Sequence, residues 1–194
     1  LLKELDRETN VKVYMPRMIS GHLQGRVLSM LSHMIQPKVI VEIGTYTGYS
    51  AICLSEGMQQ DGKLYTMDIN EELEDMVRTY FTKAKLTDRI NYQVGNAMDI
   101  LPSIDEVIDL VFIDADKGNY SNYFDLVIDK MSLGGYIIAD NVLWSGKVLE
   151  KNRKKADKDT AAILAFNEKV HQNSRVENVL FPIRDGLMIL RKIA

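Results

Sequence analysis

Apolar and polar positions along this chain fall into blocks whose period switches repeatedly between two and about 3.6 residues. Short apolar runs rich in β-branched residues recur at Val39–Ile43, Gly62–Asp68, Arg89–Gly95, Val107–Asp114 and Tyr136–Asp140. Such runs suit strands buried on both faces of a parallel sheet. Between them, helical spacing predicts helices over Glu71 to about Lys85, Ala97 to Leu101 and Tyr120 to about Met131, with Gly134-Gly135 as a turn. Upstream, Leu1 to about Thr9 predicts a short charged helix. Ser20 is placed to cap a second one reaching about Met34, with Leu23, Val27, Leu28, Leu31 and Met34 on its packed face. Downstream of the core, Asp159 or Thr160 is placed to cap a helix to about Asn173, and Val176–Phe181 with Gly186–Ile193 reads as a hairpin-like strand pair. Repeated βα units closed by such a pair predict one α/β domain over residues 1–194. Its parts are N-terminal helices (1–36), a βα core (37–144), a charged loop (145–158) and a C-terminal helix with the strand pair (159–194).

Composition changes this picture little. At 194 residues, 46% hydrophobic and 26% charged, the chain is long enough to bury a full core and ordinary for a globular domain. A net charge of −3 supplies no global basic field for nucleic acid, although Lys151, Arg153, Lys154, Lys155 and Lys158 form a local basic cluster. Cys53, the single cysteine, has no partner for an internal disulfide, which points to a reducing cytoplasm. No apolar run reaches the ~18 residues of a membrane span.

Candidate chemistry gathers at the strand ends. After Val39–Ile43 the chain breaks at Gly44, passes Thr-Tyr-Thr, and resumes after Gly48 as a helical pattern. A strand, glycine turn and helix in that order mark the carboxyl edge of an open α/β sheet, where nucleotide-like ligands bind and N–H groups can approach them. Four predicted strands carry an acid at or near that edge: Glu42, Asp68, Asp114 and Asp140. Singly, each is as well explained by capping the next helix. Together, crowded carboxylates require a cation or a hydroxyl-rich ligand. Asp68 lies 24 residues past Gly44, about where a ribose-binding acid follows a dinucleotide loop, yet the G-x-G-x-x-G fingerprint is absent. A nucleoside without a pyrophosphate fits better. Asp114, Asp140 and Asn141 offer hard oxygen donors with no His or Cys, which suits Mg²⁺, Mn²⁺ or Ca²⁺ over zinc. Lys117 follows Asp114 by three residues, either beside such a metal or as a solvated loop lysine. His22, His33 and His171 have no metal-ligand spacing, and His22 is only a weak substrate-site candidate.

Several linked motifs then resemble one family. Glu42-Ile-Gly-Thr-Tyr-Thr-Gly-Tyr-Ser50, Met67-Asp-Ile-Asn70, Phe112-Ile-Asp-Ala-Asp-Lys117 with Asn119-Tyr120, Asp140-Asn-Val-Leu-Trp-Ser-Gly146 and Arg184-Asp-Gly186 resemble the cation-dependent class I O-methyltransferases of the catechol and caffeoyl-CoA type, in their bacterial branch. The resemblance runs in register from about Ser20 to the C-terminus. It implies a Rossmann-like, seven-stranded, mostly parallel sheet with helices on both faces and a C-terminal antiparallel pair, S-adenosylmethionine as donor, and a homodimer. It further implies that Glu42, Gly44, Tyr46 and Ser50 hold the methionine end of the donor, Asp68 the ribose, and Gly95, Asn96 and Ala97 the adenine side. Asp114, also near the donor, would join Asp140 and Asn141 as metal ligands. Lys117 would be the general base, and Trp144 either a wall of the acceptor pocket or a packing residue.

The function so implied is metal-dependent methyl transfer to one hydroxyl of a small catechol-like aromatic, with Mg²⁺ as the first choice of ion. The Ser145–Lys158 segment lacks the aromatic insertion of the plant enzymes, so a hydroxycinnamoyl-CoA acceptor does not follow. Three rivals remain at this point: methylation of a hydroxylated uridine in tRNA, an NAD-dependent oxidoreductase, which the missing fingerprint disfavours, and a donor-binding regulatory protein without catalysis, which the intact Asp114, Lys117, Asp140 and Asn141 set speaks against.

Overall fold

A computed structural model describes residues 1–149 and 157–194. Strands form where apolar runs predict them: β1 (Val39–Ile43), β2 (Lys63–Asp68), β3 (Ile90–Val94), β4 (Ile108–Ile113), β5 (Met131–Ala139), β6 (Val176–Phe181) and β7 (Leu187–Lys192). They make one mixed sheet in the order β3-β2-β1-β4-β5-β7-β6. The β1/β2, β2/β3 and β4/β5 pairs are parallel, while β7 runs antiparallel to both β5 and β6. The helices are α1 (Leu2–Lys12), α2 (Gly21–Ile35), α3 (Tyr49–Ser55), α4 (Glu74–Lys83), α5 (Ala97–Ile100), α6 (Tyr120–Ile128) and α7 (Lys158–Gln172). The chain divides into two compact units, Leu1–Ile100 and Leu101–Ala194.

In the first unit every residue of β1 is buried, the pattern of an inner parallel strand. Helix α2 forms, and of its predicted face Leu28 is buried and Val27 and Leu31 are half-buried, but the packing shifts toward small and polar residues. Its buried residues are Gln24, Gly25, Leu28, Ser29 and Ser32, whereas Leu23 and Met34 stand exposed. The reason is close approach to α3. A Cβ on Gly25 would lie 2.6 Å from Tyr49 Cε1 and 2.8 Å from Cys53 Sγ, so only small side chains fit that seam. Ser20 precedes α2 but makes no side-chain cap hydrogen bond. Cys53 is buried beside Arg26, whose Nη2 donates to Sγ at 3.2 Å, and burial pushes its thiol up to about 11, so it is no nucleophile.

The second unit corrects two boundaries. Gly134 and Gly135 lie inside β5, where the register jumps from Ile108↔Met131 to Leu110↔Tyr136. The pair forms an irregularity within a strand, with Gly134 at φ 83, in place of the predicted turn. Helix α7 begins at Lys158, and its N-cap is Asp157, whose carboxylate accepts from Thr160 N at 2.8 Å and from the Thr160 hydroxyl at 2.6 Å. Asp159 and Thr160 lie within the first turn. Most of the basic cluster of the 145–158 loop, from Lys151 to Lys155, falls outside the described residues.

Candidate functional site

The residues named for the donor lie at the carboxyl ends of β1, β2 and β3, within the first unit. Parallel register pairs Glu42 with Thr66 across β1 and β2. Glu42 is fully buried, and its carboxylate accepts the Thr66 hydroxyl at 2.5 Å, which also meets Thr45 Oγ1 at 2.6 Å. Beyond β1 the chain turns through left-handed conformations at Gly44 (φ 100), Tyr46 (φ 50) and Gly48 (φ 87). At Gly48 a Cβ would come within 2.9 Å of Phe81 Cε1, so glycine is required there for space as well as for φ.

The turn spends its N–H groups on the protein. Gly44 N and Thr45 N donate to Met67 O at 2.9 and 3.3 Å, Tyr46 N to Asp68 Oδ2 at 2.6 Å, and Gly48 N to Thr45 O at 2.9 Å. These four N–H groups are thereby occupied by the protein, whereas the expectation from sequence concerns those at the start of α3, beyond Gly48. Asp68 braces the turn while its Oδ1 accepts from Asn70 N at 2.9 Å. Each oxygen thus takes one backbone N–H, and a carboxylate's remaining lone pairs can accept vicinal hydroxyls. Gly95 N donates to Asp68 O at 2.8 Å, which sets the Gly95–Ala97 corner beside this acid. Asn96 caps α5, its Oδ1 accepting from Met98 N at 2.9 Å, and Ser50 is buried in the first turn of α3. Oxygen acceptors gathered around this turn fit the hydroxyls of a nucleoside donor.

The other predicted residues lie in the second unit. Ile113 pairs with Ala139, so Asp114 and Asp140 take the next positions at the ends of β4 and β5, and Asp140 N donates to Ile113 O at 2.9 Å. Asp140 is almost wholly buried, and its Oδ1 accepts from Asn141 N at 2.7 Å. Asn141 is held at φ 62, a conformation that non-glycine residues seldom adopt and that concentrates at functional sites. Lys117 is 9% exposed, so the solvated-loop alternative does not hold. Its Nζ lies 3.3 Å from Asp114 Oδ1 and donates to the Tyr120 hydroxyl at 2.7 Å.

Tyr120, quoted within a motif but assigned no role from sequence, is the residue that organises this corner. Its hydroxyl is within hydrogen-bond reach of Asp140 O (3.0 Å) and Ile113 O (3.3 Å). Burial raises its phenol well above the ordinary range, and the charges of Asp114, Asp140 and Asp116 add to this. It therefore stays protonated and serves as a fixed partner of Lys117. The signal for it was the Lys117–Tyr120 spacing, which puts both on one face of the entry to α6. Trp144 is half-buried, with its ring centroid 5.8 Å from Lys117 Nζ and 5.6 Å from Lys147 Nζ. Its indole N–H is buried with no hydrogen-bond partner among the described residues.

Two carboxylates and an amide oxygen at adjoining strand ends are a hard-donor set of the kind that holds Mg²⁺. No cluster of three or more His, Cys, Asp and Glu side chains suited to a metal occurs among the described residues. Lys117 already offsets part of the charge of Asp114.

Residues 1–193 match a protein-family model described as O-methyltransferase. A caffeoyl-CoA O-methyltransferase from Medicago sativa is 36% identical over 205 residues, covering 99% of this chain and 81% of that protein. Among solved structures, an O-methyltransferase from Bacillus cereus in complex with SAH superimposes with a TM-score of 0.91 at 29% identity, covering 98% of this chain and 90% of that one. TomG, an O-methyltransferase from Streptomyces achromogenes in complex with SAM, gives 0.92 at 25% identity over 100% of this chain and 89% of its own. The likeness extends over nearly the whole chain, and it removes the dinucleotide oxidoreductase from consideration. The chain belongs to the O-methyltransferase family, has its Rossmann-like fold, and is an S-adenosylmethionine-dependent O-methyltransferase.

Proposed function

We propose that the enzyme methylates one hydroxyl of a small catechol-like aromatic with the help of a divalent cation, Mg²⁺ first among the candidates. The observation that carries this reading is the buried Lys117, held by Tyr120 beside Asp114 at 2.7 and 3.3 Å. A lysine nitrogen kept out of water next to a hard-oxygen donor set is placed for proton transfer, not for surface solvation.

The donor supplies its methyl group from a sulfonium. Asp68 accepts the ribose hydroxyls, the turn from Gly44 to Ser50 with Glu42 forms the methionine side, and Gly95, Asn96 and Ala97 bound the adenine. Asp114, Asp140 and Asn141 would hold the cation, which when bound would supply the Lewis acidity that eases deprotonation of an aromatic hydroxyl. Lys117 Nζ accepts that proton, while Tyr120 holds Nζ in place and remains protonated. Trp144, stacked near Lys117, walls the acceptor side and excludes water from it. Positioning of the attacking oxygen supplies the rest of the rate.

The enzyme is read as a cytoplasmic homodimer. Cys53, unpaired and buried, suits a reducing compartment. Tyr14, Met18, Leu23, Met30 and Met34 are exposed along the N-terminal helices, an apolar face that a second copy would cover. No described helix is long and apolar enough to cross a membrane. The test of the acceptor is a labelled-donor assay over catechols, hydroxycinnamates and tRNA with and without its hydroxylated uridine. Labelling of catechols alone is the expected result. Labelling of hydroxylated tRNA alone replaces the small-molecule reading with the RNA one.

A further inference from the structure

The donor turn is held from outside by the N-terminal helix. Thr9, on α1, donates from Oγ1 to Thr47 Oγ1 at 3.2 Å, and both residues are fully buried. One residue earlier in the turn, the Tyr46 hydroxyl donates to Met15 O at 3.2 Å, in the segment that follows α1. Tyr46 and Met15 both sit at left-handed φ, 50 and 64. Helix α1 is itself pinned to α4, where Tyr80 donates to Glu8 at 2.5 Å and Lys83 pairs with Glu4 at 2.7 Å.

Helix α1 gains little from packing. Leu5 and Thr9 are its only buried residues, and an 11-residue helix is marginal alone. One of its two inward side chains is therefore polar and is spent on the turn. The turn, for its part, contains three left-handed residues in five, Gly44, Tyr46 and Gly48, and such a segment has many alternatives when released.

We propose that Thr9 is a donor-positioning residue. Through Thr47 it holds the Thr45–Thr47 segment in the conformation that accepts S-adenosylmethionine, although it lies 38 residues away in sequence. The inference rests on the reading that this turn binds the donor. If the competent turn is only partly populated without the strap, apparent donor affinity falls by that fraction while the chemical step is untouched.

The test measures binding of S-adenosylhomocysteine by calorimetry well below the melting temperature, together with KM for the donor and kcat. Thr9→Val keeps the shape, removes the hydroxyl and leaves Thr47 buried without its donor. It is expected to weaken binding about fivefold to tenfold, with kcat within about twofold, and Thr9→Ser is expected to restore affinity. Tyr80→Phe, which removes the tie between Glu8 and α4 without touching the turn, is expected to weaken binding about twofold to threefold and keeps the test alive should Thr9→Val fail to fold. Unchanged affinity in Thr9→Val, or in Tyr80→Phe where Thr9→Val is unfolded, overturns the proposal, even if the melting temperature falls. Asp68→Ala separates the underlying reading: if it binds S-adenosylhomocysteine like the wild type, the assignment of the donor turn is wrong whatever Thr9 does.

Discussion

Lys117 and Tyr120 form a unit at the residue scale. Nζ has a carboxylate at 3.3 Å and a phenol at 2.7 Å, and the phenol is locked between two backbone carbonyls. In the proposed mechanism, Lys117→Ala lowers kcat by about 10²–10⁴-fold and leaves S-adenosylhomocysteine affinity within about twofold, measured by steady-state kinetics and calorimetry. Tyr120→Phe leaves the amine in place but free to rotate, and kcat falls less, by roughly tenfold. Equal turnover in Lys117→Ala and wild type would remove the base from the scheme. The acids needed the structure to tell them apart. Asp68 and Asp140 both accept a backbone N–H within hydrogen-bond distance, so the bland bracing role and a ligand role coexist in one carboxylate. Residue type at a strand end carries both possibilities; only position separates them.

Elements follow the same logic. The strands were legible because β-branched runs bounded by glycine, proline and acids leave little choice of period. Helix faces were less so. On α2 the close approach to α3 is at Gly25, with Ser29 and Ser32 also buried, and a pattern that counts only large apolar residues keeps Leu28 but misses these. This gives a sign that propensity alone reverses. Alanine is the better helix former by about 1 kcal/mol, yet Gly25→Ala should destabilise the protein by about 1–3 kcal/mol, because its Cβ meets Tyr49 and Cys53 below 3 Å. Urea denaturation reads it directly; a stabilised variant would mean that the α2/α3 seam is looser than the structure has it. The cap of α7 was misplaced by two residues for a related reason: Asp157 and Asp159 are chemically alike, and only the carboxylate contact with Thr160 distinguishes them.

For the whole molecule, the family follows from motifs that the fold delivers to strand ends in both units, and the acceptor does not. The segment from Ser145 to Lys158 carries no aromatic side chain, and recognition of a particular aromatic depends on side chains that no period or cap specifies. The exposed methionines of the N-terminal helices bear on assembly. Light scattering should give twice the chain mass, and Met30→Lys with Met34→Lys should shift it toward one.

The central claim, methyl transfer assisted by a cation on Asp114, Asp140 and Asn141, is tested most directly by labelled-methyl transfer to a catechol after chelation, with metal content verified by mass spectrometry. The account predicts that transfer falls at least about 100-fold, returns with Mg²⁺ in the wild type, and does not return in Asp140→Ala. Full transfer by the metal-free enzyme would contradict it.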